Sequence, residues 1–204
     1  MSFALIACLL ICHNAFSSKP YSTLHHPVSG VPDVTEFFSF YCPPCYLFSE
    51  KYNVVAGINR ILPADKPVAK YHISSMGKLG NELSEAWAVA SIMGITDRVE
   101  RALFIAVQQK NVINKAEDIY AVFNEVGISH EVYDAARNSM MVRAFIARQN
   151  ALAEALQVRS TPSVYIKGRY LVSNSKIKGP TPETYAAEYT KLVAELLKKS
   201  TPGS

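Results

Sequence analysis

The chain has 204 residues, 49% of them hydrophobic and 19% charged, enough for one domain with a large insertion or for two small ones. Its formal net charge is +4, but the lysines and arginines are scattered and only Lys198-Lys199 forms a cluster, which argues against a dedicated nucleic-acid surface.

The first element is an apolar run over residues 2–16, followed by Ser17-Ser18-Lys19 and polar sequence. It has the length of a secretory signal and is too short for a good membrane span. Residues 1–17 are therefore expected to be a cleaved signal, with Ala15 and Ser17 as the small residues a signal peptidase inspects, although no Lys or Arg precedes the apolar core. Leu5-Ile6-Ala7-Cys8 resembles a lipoprotein acylation site, but too few residues precede Cys8 to favour that reading. Cleavage removes Cys8 and Cys12. The exported chain then keeps Cys42 and Cys45 alone, in an oxidising setting.

Residues 34–41 (VTEFFSFY) are aromatic and β-branched, the composition of a buried strand. A helix is expected directly after it: Pro44 suits a first turn, where a missing N–H costs nothing, and Leu47, Phe48, Val54, Val55 and Ile58 follow at helical spacing. A second short strand covers residues 68–73. From Leu79 to about Val158 only helices are predicted, over 82–92, 97–108, 116–126 and 140–156, with one or two turns at 132–137; Gly127 is a natural cap for the third. Two short strands follow Pro162 and turn at Lys167-Gly168. A last helix runs to about Lys198, with Thr181 as N-cap and Pro182 at its first position. With the helical stretch removed, the order is that of thioredoxin. We thus expect an α/β, thioredoxin-like fold with an inserted all-helical domain: 18–77 and 159–204 form the thioredoxin-like part and 78–158 the insertion.

Three readings compete for Cys42-Pro43-Pro44-Cys45. Zinc needs four ligands, and the exported chain offers no second CxxC or well-spaced Cys-His pair, although His25-His26 is a conceivable contributor. A structural disulfide closing so short a loop excludes little chain entropy. A redox dithiol explains the placement as well as the residues: Cys42 lies where a strand ends and a helix begins, so unpaired helix N–H groups and the positive helix end favour its thiolate. Cys45, one turn in, then serves as the resolving thiol. Only the reduced form gains from thiolate stabilisation, so such a pair is an oxidant, and each pKa unit below ambient pH is worth about 30 mV.

Two features surround the pair. Thr161-Pro162 opens a strand, where a cis peptide beside the dithiol would leave the Thr161 backbone free for an extended substrate; an ordinary trans proline is the alternative. Glu36 and Lys70 are charges inside two apolar strands, placed either to pair beneath the site and move the proton of Cys45 or to form a structural ion pair. Phe40, Tyr41 and Tyr46 are candidates for apolar contact with substrate, and the 173–179 loop for shaping the groove.

The residues 36–43 (EFFSFYCP), Lys70-Tyr71-His72, Leu79-Gly80, 86–90 (AWAVA), Glu131, 133–136 (YDAA), Pro162 and Gly168 together resemble the DsbA family of periplasmic thiol:disulfide oxidoreductases, from about Tyr21 to the final helix. The resemblance implies that Cys42 is the nucleophile, Cys45 its partner, Pro162 a cis-proline, and Glu36 and Lys70 a buried acid and base. It implies a disulfide donor for newly exported cysteine-containing proteins, using no cofactor beyond the dithiol, reoxidised by a membrane quinone-linked partner of the DsbB type. The chain departs from the family pattern in three places. Pro44 replaces a common His, which predicts a higher Cys42 pKa and a less oxidising disulfide than in a CPHC relative. Thr161 replaces a common Val and occurs in reductases and isomerases of the thioredoxin group. Ser49 stands where an acid is usual. A paralogue with restricted substrates is one form of the donor reading. The other functions to be separated from it are a reductase or isomerase and a non-redox peptide-binding chaperone module. Nothing in the sequence indicates a dimer, so a monomer is expected.

Overall fold

The computed structural model describes residues 19–199; the expected signal, with Cys8 and Cys12, lies outside the described residues. The strands form a five-stranded mixed sheet: β1 (Tyr21–Thr23), β2 (Val34–Phe38), β3 (Ala69–His72), β4 (Ser163–Ile166) and β5 (Tyr170–Val172), in the order β1-β5-β4-β2-β3. β2 is buried at all five positions, as its apolar run requires of a central strand, and pairs parallel with β3 and antiparallel with β4. β1, three residues long, escapes sequence periodicity and is held by antiparallel pairing to β5.

The predicted strand over 34–41 ends early, at Phe38. There the chain turns, with Cys42 N–H donating to the Ser39 carbonyl at 3.0 Å. α1 (Pro43–Tyr46) starts at once and runs into a π-helical stretch, Leu47–Lys51. The single helix expected through Ile58 is split: Asn53 adopts φ 53°, a left-handed conformation that asparagine tolerates, and α2 (Val54–Asn59) begins after it. Between β3 and β4 lie α3 (Gly80–Ile92), α4 (Thr96–Phe104) with a π-helical extension Ile105–Gln109, α5 (Ala116–Glu125), α6 (His130–Arg137) and α7 (Met140–Ala155). α6 is a full two turns because Ser129 caps it, its hydroxyl accepting from Val132 N–H at 3.3 Å. α8 (Pro182–Lys199) closes the chain.

Strand alternation divides the interior. Phe37, Tyr71 and Tyr165 pack on one sheet face with Leu156. Val34 faces the other way, into a core shared with α2 and α8 through Val54, Ile58, Tyr189 and Val193. Phe38, on that same face two positions beyond Glu36, belongs to the core of the helical insertion with Trp87, Leu103 and Phe104, and this core also contains Phe40, Cys42 and Cys45. The dithiol is thus built into the seam between insertion and sheet. Glu36 lies at the same seam, between Val34 and Phe38.

Candidate active site

Cys42 is the N-cap residue of α1, with φ −94° and ψ 108°, and the two prolines take the first two helical positions. Proline has no N–H, so two of the unpaired helix donors expected to face the sulfur are missing. The stabilisation comes from elsewhere. The Cys42 thiol is lowered to about 6, first by a hydrogen bond from the Cys45 side chain, then by the Thr161 hydroxyl and the Cys45 backbone N–H; burial opposes them, as does Glu36 when it is ionised. Cys45 moves the other way, pushed up by burial first and then by its bond to Cys42 and the charge that Cys42 carries. Both are free thiols, with Cys42 5% exposed and Cys45 0%. One proton is easily lost, and the other is held.

The Thr161–Pro162 peptide is cis, and Cys42 Sγ donates to the Thr161 carbonyl at 3.3 Å. Pro162 is in turn tied to the following loop: its carbonyl accepts from Asn174 Nδ2 at 2.7 Å, while Asn174 Oδ1 accepts from the buried Tyr189 hydroxyl at 2.9 Å. On the opposite side Gln108 Nε2 donates to the carbonyls of Phe40 (2.7 Å) and Cys42 (3.0 Å), fixing the turn from the insertion.

Phe40 is fully buried and does not offer a surface to substrate, contrary to the expectation from its neighbourhood. Its ring stacks on His72 at 5.1 Å and its N–H donates to His72 Nε2 at 3.1 Å. Since Nε2 accepts, the neutral imidazole carries its proton on Nδ1 and donates to Ser84 Oγ at 2.7 Å. Burial drives the His72 pKa down to about 3, so the ring is an uncharged structural strut. Tyr41 and Tyr46 are half-buried against the insertion; the Tyr41 hydroxyl accepts from Leu79 N–H and the Tyr46 hydroxyl from Gln109 Nε2 at 2.6 Å. Pro43 and Pro44 are exposed beside Cys42.

Glu36 and Lys70 are register partners on adjacent strands, so their side chains share one sheet face, with Lys70 Nζ 3.2 Å from Glu36 Oε2. The structure adds Glu100 of α4, whose Oε1 accepts from Lys70 Nζ at 2.5 Å and from Ser49 Oγ at 2.6 Å. Burial raises the Glu36 pKa, partly offset by Lys70 and reinforced by Glu100. For Lys70 burial acts downward, but Glu36 and then Glu100 outweigh it and hold the ammonium charged. Gln108 and Glu100 escape sequence reasoning, while His72 and Asn174 lie in segments that the sequence marks without giving them these contacts. A glutamate on an amphipathic helix carries no signal that it will turn inward. Among the described residues no group of three or more His, Cys, Asp and Glu is placed to hold a metal ion.

A family model for the DSBA-like thioredoxin domain matches residues 33–179. The chain belongs to that family. It is 40% identical over 181 residues to a thiol:disulfide interchange protein DsbA of Dickeya dadantii, covering 89% of this chain and 87% of that one. The DsbA structure from Klebsiella pneumoniae superposes with a TM-score of 0.84 at 44% identity, over 87% of this chain and 95% of that one. A Proteus mirabilis DsbA variant, solved with a non-covalently bound peptide PWATCDS, has a TM-score of 0.84 at 39% identity, over 88% and 96% of the two chains. This member of the DsbA family is a thiol:disulfide oxidoreductase whose chemistry is carried by a cysteine pair and not by an external cofactor.

Proposed function

We propose that the chain donates the Cys42–Cys45 disulfide to newly exported proteins in the periplasm, with Cys42 as the attacked sulfur. The observation that carries this reading is the opposed pull on two neighbouring thiols, Cys42 down to about 6 and Cys45 upward. A substrate thiolate attacks Cys42 Sγ, the Cys42–Cys45 bond breaks, and Cys45 leaves and takes up a proton. A second substrate thiolate then attacks the substrate sulfur of the mixed disulfide. Cys42 departs as a thiolate that needs no proton at pH 7. The substrate has lost two electrons and two protons; the enzyme has gained the electrons and one proton, and the other proton goes to solvent.

Only the dithiol form gains from a stable thiolate. At pH 7, one unit above the Cys42 pKa, that gain is on the order of 1 kcal/mol, or about 30 mV in favour of giving the disulfide away. Substrate would lie extended beside Thr161 and Pro162, and the peptide held by the Proteus relative supports a cysteine-containing polypeptide in that role. Residues 1–17 would direct export, and a membrane quinone-linked protein of the DsbB type would restore the disulfide to the monomer.

The test is the redox state of Cys42 and Cys45 trapped by alkylation in growing cells. A mostly disulfide population is expected, and a mostly dithiol one would make the chain a reductase or isomerase. Peptide-binding activity that persists unchanged in Cys42→Ser, with no loss of substrate disulfides, would instead mark a chaperone module.

A further inference from the structure

Two carboxylates and one ammonium meet at the seam under the dithiol, and they are not equivalent. Glu100 Oε1 takes the hydrogen bond of Lys70 Nζ at 2.5 Å and that of Ser49 Oγ at 2.6 Å, and its side chain is 15% exposed. Glu36 is 1% exposed, and neither of its carboxyl oxygens has a hydrogen-bond partner; the 3.2 Å approach of Lys70 is a charge contact without hydrogen-bond geometry. An ionised carboxylate in that position is costly, whereas a protonated one is tolerated. Lys70 is further fixed over the Phe38 ring, 4.9 Å from its centroid, which leaves it little freedom to turn from Glu100 to Glu36. Ser49 lies four residues after Cys45 in the same helical stretch, so the Glu100 contact reaches the helix that carries the leaving thiol.

We propose that Glu100 is a positioning residue for proton delivery to Cys45: by occupying Lys70 it leaves Glu36 protonated, and that proton passes to the Cys45 thiolate when the enzyme disulfide opens. The inference rests on the donor cycle above, in which Cys45 is the leaving group. The transfer converts Cys45 S⁻ and Glu36 COOH into Cys45 SH and Glu36 COO⁻. Glu36 then takes one proton back from solvent, and Lys70 and Glu100 keep the charges they began with. No other reagent is consumed. The titratable groups around the cluster are Glu50, Arg101 and Lys51 on its outer side, with Arg101 3.8 Å from Glu50, the buried Tyr189 of α8, whose hydroxyl donates to Asn174, and Cys42 and Cys45.

The experiment compares the full chain with Glu100→Gln and with the double variant Ser49→Glu, Glu100→Gln. The Glu36 carboxyl is titrated by carbon NMR in the reduced proteins, and oxidation of a dithiol peptide is followed in single turnover against pH. Glu100→Gln should lower the Glu36 midpoint by about one pH unit or more, because Lys70 then serves Glu36 alone. It should also slow peptide oxidation roughly tenfold near neutral pH, the factor that one pH unit of lost proton donor implies. The double variant should restore both. A Glu36 midpoint unmoved in Glu100→Gln, an unchanged rate profile, or a double variant that remains displaced would overturn the proposal. The NMR titration needs no turnover, so its failure is distinct from a failure of the donor function.

Discussion

Replacing Thr161 by Val removes one hydroxyl and keeps the side-chain shape. In the dithiol the Thr161 hydroxyl is buried and has no hydrogen-bond partner, while Cys42 Sγ donates to the Thr161 carbonyl instead. The hydroxyl is therefore a burden when Cys42 is a thiol and a donor when it is a thiolate. A hydrogen bond to a charged group is worth about 1.5–3 kcal/mol. At 1.36 kcal/mol per unit this corresponds to a rise in the Cys42 pKa of roughly one to two units from its value of about 6. At pH 7 most of the thiolate gain is then lost, and the disulfide should become less oxidising by about 30 mV. Ultraviolet absorbance of the thiolate against pH measures the first quantity, and equilibrium with a glutathione buffer the second. A Cys42 pKa in Thr161→Val equal to or below that of the unsubstituted chain would mean that the hydroxyl does not stabilise the thiolate.

His72 should make the fold acid-sensitive. In the unfolded chain it binds a proton near 6.5, but in the fold only at about 3, so the unfolded state holds more protons between these values. Stability contributed by the neutral ring is present above about pH 6.5 and is lost as pH falls, by up to about 1.4 kcal/mol per pH unit. Thermal denaturation between pH 7 and 4 should show this descent, and it should shrink in His72→Gln, whose amide does not titrate; an equal descent in both would contradict it. Gly168→Ala should lower the denaturation midpoint by at least about 1 kcal/mol of stability. Gly168 has φ 59°, and a Cβ there would collide with the Val28 carbonyl oxygen, so an unchanged midpoint would mean that this contact is not formed.

The parts of the fold that local chemistry dictates were legible. An aromatic strand followed by Pro43-Pro44 gives β2 and α1. Lys167-Gly168, both at positive φ, gives the tight turn between β4 and β5. Glu36 and Lys70 stood out because charges inside apolar strands need partners, and they are register neighbours. What depends on docking was not legible. The apolar spacing from Leu47 to Ile58 reads as one helix, yet Asn53 breaks it so that α2 can pack on α8 while Leu47 stays exposed. Phe40 beside a dithiol suggests a substrate contact, but the turn after β2 sends it inward onto His72. Glu100 belongs to an amphipathic helix whose acids are ordinarily solvated, and only the closure of the insertion onto β3 brings it to Lys70.

The reduction potential of the Cys42–Cys45 pair as a function of pH reads the ionisation of both thiols at once. If Cys42 ionises near 6 and Cys45 stays protonated, reduction takes up two protons below that pH and one above it. The potential should fall by about 60 mV per pH unit on the acid side and by about 30 mV per unit from roughly pH 6 upward, and at pH 7 it should lie above a glutathione poise of roughly −220 to −260 mV. A single slope of about 60 mV per unit through pH 8 would mean that Cys42 is not a stabilised thiolate, and a potential below that of glutathione would mean that the pair does not give its disulfide away.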